Sequence, residues 1–260
     1  MRKQEQDMIQ KYFDINEGGY SVRCKLYCAD VKSIKRAVIF EHGFAGHKDN
    51  KAAEKFAGKL IGKYKDFCVV TFNWPCHGDD ARNKLRLEEC DTYLTLVIEY
   101  VKKQFNTDEL YAYATSFGGY LLLKYISEHG NPFRKAALRC PAITIYDSML
   151  ERIIPENDYN KIMKGKPVLV GFDRKIKIDR EFLDDLKAAD VRKIDFTDYA
   201  YDLMIVHGTK DEVIPFDVSV DFADQNIIEF VPMQGGDHRF TDPKIMDLAI
   251  HTIIEFITTG

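Results

Sequence analysis

Hydrophobic positions along this chain recur at two spacings that take turns almost to its end. Residues 67–72 (Phe67-Cys68-Val69-Val70-Thr71-Phe72) form a short β-branched and aromatic run. Residues 51–63 instead place Ala53, Phe56, Ala57, Leu60 and Ile61 on one stripe. The first spacing predicts a buried strand and the second an amphipathic helix. The same exchange continues with a strand at 37–40, a helix at 89–105, a strand at 110–114, a helix through 121–126 that Gly130-Asn131-Pro132 stops, and a strand at 136–140. Alternating strand and helix signals predict a mostly parallel central sheet with helices on both faces, an α/β fold. Its start differs, because runs at 12–16 and 20–28 flank Gly18-Gly19, which suits an antiparallel hairpin.

From 141 to about 200 the rhythm breaks into charged, irregular sequence, with a hairpin expected at 166–178 and a helix at 181–189. That stretch is too long for an ordinary connection, and long insertions at such places often cover a site, so it is read as a lid. Strands resume at 203–206 and 227–231, and an amphipathic helix at 245–257 closes the chain. The expected organisation is one domain over 1–260 with 141–200 inserted as the lid.

Composition narrows the function classes. A chain of 260 residues that is 45% hydrophobic has enough apolar material for one sizeable core. A formal net charge of -4 gives no basic footprint for nucleic acid or an anionic membrane surface. The first ten residues are polar and charged, and no later run approaches the roughly 20 apolar residues of a membrane span, so a soluble, cytoplasmic protein is expected. Cys24, Cys28, Cys68, Cys76, Cys90 and Cys140 form no CxxC pair, which argues for reduced, structural thiols and against a metal site. Cys24 and Cys28 lie four apart in a strand and face the same way. The sequence sets no oligomeric state and leaves a homodimer open.

The candidate chemistry begins at Ser116, in Tyr113-Ala114-Thr115-Ser116-Phe117-Gly118-Gly119, where an alternating strand restarts at once as a helix. A turn that short forces its residue into a strained conformation and holds the hydroxyl clear of the sheet. The bland alternative is a helix N-cap. A serine needs a base, and the base needs a carboxylate to fix its tautomer. Asp211 follows the strand at 203–206 in His207-Gly208-Thr209-Lys210-Asp211, and His238 ends the loop Gln234-Gly235-Gly236-Asp237-His238. All three lie at carboxyl ends of predicted strands, where open parallel sheets place their sites. Glu212, Asp202 and Asp217 are rival carboxylates, and Asp237 reads as a residue that fixes its loop. An oxyanion site would use the amide of Phe117 and that of Phe44, in the loop His42-Gly43-Phe44.

Among the other histidines, His42 and His207 each precede a glycine at a strand end and read as loop-orienting hydrogen-bonding residues. His129 and His251 read as solvated helix residues, and His47 and His77 as loop residues without metal-ligand spacing. Tyr146, Tyr159 and Phe172 in the insertion read as packing aromatics. Arg174-Lys175-Ile176-Lys177 reads as a solvated strand edge.

With these residues in place, the chain resembles the α/β-hydrolase family over nearly its whole length, and small bacterial serine esterases of the cinnamoyl or feruloyl type most closely. The resemblance rests on His42-Gly43-Phe44, on Trp74-Pro75-Cys76-His77-Gly78-Asp79, on the serine elbow, on the HGTKD stretch ending at Asp211 with Val213-Ile214-Pro215 after it, and on Gly235-Gly236-Asp237-His238-Arg239-Phe240. The family's chain order is serine, acid, histidine, and Ser116, Asp211 and His238 keep it. Two positions depart: Ala114 stands where the elbow usually has glycine, and Thr115 where histidine is common. The resemblance implies an α/β-hydrolase fold, a lid between the sixth strand and the strand before the acid, and an acyl-enzyme esterase that acts on a small-molecule ester without a cofactor. A thioesterase or a small peptidase uses the same triad, and a non-catalytic ligand-binding protein on the same fold is the rival from another class.

Overall fold

Secondary structure in the computed structural model follows the two spacings closely over residues 8–171 and 175–259, the described part of the chain. The elements run β1 (Ile9–Glu17), β2 (Tyr20–Cys28), β3 (Arg36–Glu41), α1 (Lys51–Lys63), β4 (Phe67–Phe72), α2 (Leu87–Phe105), β5 (Leu110–Thr115), α3 (Phe117–His129) and β6 (Lys135–Arg139). After these come α4 (Ile145–Ser148), α5 (Glu156–Met163), β7 (Val168–Val170), β8 (Ile176–Ile178), α6 (Arg180–Ala188), β9 (Leu203–Gly208), α7 (Phe216–Asn226), β10 (Glu229–Met233) and α8 (Pro243–Thr258).

Eight strands form one sheet in the order β1-β2-β4-β3-β5-β6-β9-β10. The β1–β2 and β2–β4 pairings are antiparallel and every later pairing in that sheet is parallel. Alternation along β5 shows how the sheet divides the core. Ala112 and Ala114 face the layer of α2 and α3, while Tyr111 and Tyr113 face the layer of α1 and α8. On the second face Tyr113 meets Phe40 and Phe56 edge-on, with centroids 4.8 and 5.0 Å apart. Both faces are covered, so the central strands are largely apolar, with the buried polar residues Glu41, Arg139 and His207 near their carboxyl ends.

The inserted segment contributes α4, a π-helical turn at Met149–Ile153, α5, the antiparallel β7–β8 hairpin and α6. Tyr146 and Tyr159 are part-buried against the larger core cluster. Phe172 and Arg174 lie outside the described residues. The six cysteines are all free thiols, and only Cys76 is not buried. Among the described residues no helix is long and apolar enough to cross a membrane.

Three boundaries depart from the sequence expectation. The chain leaves β6 after Arg139, because Cys140 takes a left-handed φ of 45°. Helix α3 begins directly after Ser116, as the elbow reading expects, while helix α2 begins at Leu87 rather than at 89. Helix α7 is not apparent in the sequence at all: Val218-Ser219-Val220-Asp221-Phe222 alternates apolar and polar residues as a strand would. It ends on Ile227 at φ 57°, which delays β10 to Glu229.

A tight crossing lies where α3 leaves the sheet. A Cβ on Gly118 would stand 2.6 Å from the carbonyl oxygen of Glu41 and 2.8 Å from that of His42, both backbone atoms that cannot yield cheaply. Gly58, on the exposed side of α1, has open space around its missing Cβ. Gly118→Ala is therefore expected to lower stability by about 1–3 kcal/mol, and Gly58→Ala to raise it by about 0.4–1 kcal/mol. Urea unfolding midpoints of the two variants would move in opposite directions; a shift of the same sign in both would refute this account of the crossing.

Candidate active site

Between β5 and α3, Ser116 adopts φ 51° and ψ -114°, a conformation that a residue with a Cβ holds only at a cost of about 1–3 kcal/mol. Its backbone is held from both sides. The N–H donates to Arg139 O at 3.0 Å, while its carbonyl accepts from Tyr120 N at 3.1 Å and Ala142 N at 3.0 Å. The hydroxyl makes no capping bond to α3. Its Oγ lies instead 3.0 Å from Nε2 of His238, which removes the helix-cap reading.

Nδ1 of His238 stands 2.7 Å from Oδ2 of Asp211. The Asp211 side chain is wholly shielded from solvent, and each of its oxygens takes two bonds. Oδ1 accepts from Val213 N at 2.8 Å and Ile214 N at 2.7 Å, and Oδ2 takes His207 Nε2 at 3.0 Å beside His238. Burial opposes the charge on Asp211, yet the hydrogen bonds from His207 and His238, with the charge of His238 and the Ile214 amide, hold it well below the usual carboxylate range.

Sequence reasoning assigned His207 to loop orientation; the structure places it on the carboxylate itself. It is fully buried, and Nε2 lies within reach of both Asp211 and Ile214 O, at 3.3 Å, so this nitrogen carries the proton. Among the described residues its Nδ1 has no hydrogen-bond partner. Cys140, turned inward by its left-handed φ, brings its sulfur beside the same pair; burial first and the Asp211 charge next push its thiol pKa up. The ligand atoms of Cys140, His207 and Asp211 lie within 4.8 Å of one another, but the two carboxylate oxygens are already taken by four N–H groups. A metal there would have to displace the bonds that orient His238. Of the rival acids, Glu212 reaches only the backbone N–H of His238, at 3.4 Å, and Asp237 accepts from Thr241 N at 2.9 Å, as a loop-fixing residue would.

Phe44 and Phe117 flank the serine, with their rings edge-to-face at 5.8 Å. Gly43 passes so close that a Cβ on it would stand 3.2 Å from Ser116 Cβ. Behind this loop His42 is locked by Trp74: Trp74 Nε1 donates to His42 O at 3.0 Å and Trp74 N to His42 Nε2 at 3.3 Å. His77 completes the layer, 5.3 Å from the His42 ring and 5.6 Å from Phe44. Its Nδ1 donates to Pro75 O at 2.8 Å, leaving Nε2 buried without a partner.

The cleft over Ser116 has a volume of about 140 Å³. Ala142, Ile145, Ile153, Val213 and Ile214 supply apolar lining, and Asn50, Thr115, Arg139 and Arg239 polar lining. A wider groove of about 780 Å³ opens at the opposite, amino-terminal end of β6, β9 and β10, away from Ser116. Thr115, at the departing position of the elbow, spends its hydroxyl on Glu41 O at 3.3 Å. Ala114 is fully buried between Glu41 and Leu138, so its methyl group is accommodated without opening the elbow.

The model of the α/β hydrolase fold family matches residues 36–163. This chain has the α/β-hydrolase fold. Solved α/β-hydrolase structures match it nearly end to end. Est1E from Butyrivibrio proteoclasticus with ferulic acid bound superposes with a TM-score of 0.74 at 20% identity, covering 94% of this chain and 97% of the other. A soluble variant of monoglyceride lipase from Saccharomyces cerevisiae, in complex with a substrate analogue, gives 0.71 at 14% identity, with 98% and 96% covered. Alpha/beta hydrolase domain-containing protein 10 from mouse gives 0.70 at 15% identity, with 95% and 98% covered. The sequence has no significant match among curated proteins.

Burial pushes the pKa of His77 down from 6.5 to about 4, against the smaller opposing pull of Pro75 O and Asp80. The unfolded chain then binds a proton that the folded one refuses, so stability falls as pH drops from about 6.5 towards 4. One group lowered this far removes up to about 3 kcal/mol across that window. Urea unfolding at pH 7 and pH 5 should show a flatter pH dependence in His77→Asn than in the unmodified protein. Equal slopes would mean that His77 takes up its proton without unfolding.

Proposed function

We propose that this protein is a serine hydrolase that cleaves carboxylic esters through an acyl-enzyme, with Ser116 as nucleophile, His238 as general base and acid, and Asp211 as its orienting carboxylate. The observation that carries the reading is the continuous relay from Ser116 Oγ to His238 Nε2 at 3.0 Å and from His238 Nδ1 to Asp211 Oδ2 at 2.7 Å. It starts from a serine whose strained backbone serves no capping purpose.

Each step follows from that geometry. Ser116 Oγ attacks the ester carbonyl as its proton passes to His238 Nε2. Asp211 keeps the Nδ1–H tautomer in place and stabilises the imidazolium, with His207 holding the carboxylate from its other side. The amides of Phe44 and Phe117 receive the oxyanion. His238 then gives its proton to the departing alkoxide, and water repeats the sequence in reverse on the acyl-enzyme. Residues 141–200 act as a cover, since Ile145 and Ile153 of this segment form part of the apolar lining.

A cleft of about 140 Å³ is small beside the roughly 300–1,000 Å³ of pockets that enclose drug-sized ligands, and so favours a short acyl group in this closed form. The likeness to Est1E with bound ferulic acid keeps hydroxycinnamate esters among the substrates to be compared. Ser116→Ala should cut hydrolysis of a short-chain p-nitrophenyl ester by about a thousandfold or more and abolish labelling by a fluorophosphonate. Unchanged turnover in that variant would sink the assignment. Parallel rates on ester, thioester and aminoacyl-amide substrates decide between an esterase, a thioesterase and a peptidase. A folded protein that resists the fluorophosphonate yet binds a small molecule tightly would be a receptor.

A further inference from the structure

The cleft over Ser116 is lined by a cation that the triad does not use. Arg139, the last residue of β6, is only 8% exposed, yet among the described residues no carboxylate lies within ion-pair distance of it. Its Nη1 donates to Arg239 O at 3.3 Å and lies 3.7 Å from Met246 Sδ, while its Nε is buried with no hydrogen-bond partner. A buried guanidinium normally takes a carboxylate, because losing its hydration costs several kcal/mol unless an anion or several acceptors replace it. This one has a single backbone carbonyl and the face of Phe240, 5.2 Å away.

Among the described residues that line this cleft none is acidic, although the chain as a whole carries a net charge of -4. Of the two acids just before the lining residues Val213 and Ile214, Glu212 turns its carboxylate to the backbone N–H of His238, at 3.4 Å, and Asp211 is buried with both oxygens engaged. The cleft in front of Ser116 is therefore lined by the Arg139 guanidinium and by apolar side chains, with no carboxylate among its described lining residues.

We infer that the substrate carries a carboxylate, or an equivalent anion, in the same molecule as the scissile ester, and that Arg139 receives it. Short hemiesters of dicarboxylic acids are the simplest compounds of that class. Their acyl chain would span from Ser116 to the guanidinium. Arg139 is thus a specificity-determining residue, and the inference rests on the hydrolase reading above.

The test compares monoethyl succinate, glutarate and adipate with ethyl butyrate, valerate and hexanoate, where the terminal carboxylate becomes a methyl group of the same chain length. Ethanol release gives kcat/KM for each, and the readout is the ratio within each pair. For at least one length the unmodified protein should favour the charged ester tenfold or more. Arg139→Met should reduce that ratio to near one, and Arg139→Lys, which keeps the charge but loses the fork, should retain part of it. Fluorophosphonate labelling of Ser116 shows whether each variant keeps its site, and Arg139→Gln serves if the methionine variant does not.

Ratios near or below one at every length in the unmodified protein would overturn the inference, as would a tenfold preference that survives Arg139→Met. A loss of both rates in equal proportion would make Arg139 only a tie for the His238 loop, and would overturn it too. Those outcomes leave ester hydrolysis standing. Absence of turnover on all six esters, with Ser116 unlabelled, would instead remove the hydrolase reading on which it rests.

Discussion

A carboxylate stripped of water has to find its solvation inside the protein, and the arrangement around Asp211 organises the active end of this sheet. Four N–H groups supply that solvation: two amides of the loop after β9 and two imidazoles. Hydrogen bonds to a charged group are worth about 1.5–3 kcal/mol each, so four of them offset the several kcal/mol that burying the ion costs. The carboxylate cannot move without orphaning one of its donors. That immobility passes to His238 Nδ1, and through the ring to the nitrogen facing Ser116.

Strain and support are matched on the serine side. The left-handed backbone of Ser116 persists because Arg139 O, Tyr120 N and Ala142 N fix the peptide groups around it, and because Gly118 lets α3 pass within contact of the Glu41 and His42 carbonyls. Cys140 repeats the pattern on the next strand, leaving β6 at a left-handed φ that brings its sulfur to Asp211 and His207. The two departures from the usual elbow sit comfortably here. Ala114 points into the α2–α3 layer and Thr115 toward the opposite face, so one methyl group is absorbed by packing and one hydroxyl by a backbone carbonyl.

Much of this was legible in the sequence, for a physical reason. Parallel strands buried on both faces and helices buried on one write different periods into the chain, and the bounds of α1 and β4 follow from those periods alone. Where tertiary packing overrides local pattern, the reading fails. Helix α7 carries a strand-like alternation and is helical because Phe222 and Ala223 bury against the sheet. The relay among Ser116, Asp211 and His238 was legible because each residue ends a strand signal in a loop. Their partners were not: a histidine before a glycine gives no sign that it will share an oxygen with His238, and an arginine closing a strand reads as solvated until neighbouring loops bury it.

The two residues that sequence reasoning missed, His207 and Arg139, differ in electrostatic sense although both lie close to Ser116 and its partners. His207 has its donor nitrogen on Asp211, where it supports the carboxylate, and among the described residues its buried Nδ1 has no partner. Arg139 adds a positive charge to the lining of the cleft. In the proposed mechanism a cation there would favour the negative charge that develops on the oxyanion and disfavour a second positive charge on His238 during attack. These effects oppose one another, and an anion seated on Arg139 cancels both. A site built this way works with least electrostatic penalty when its substrate brings the missing charge.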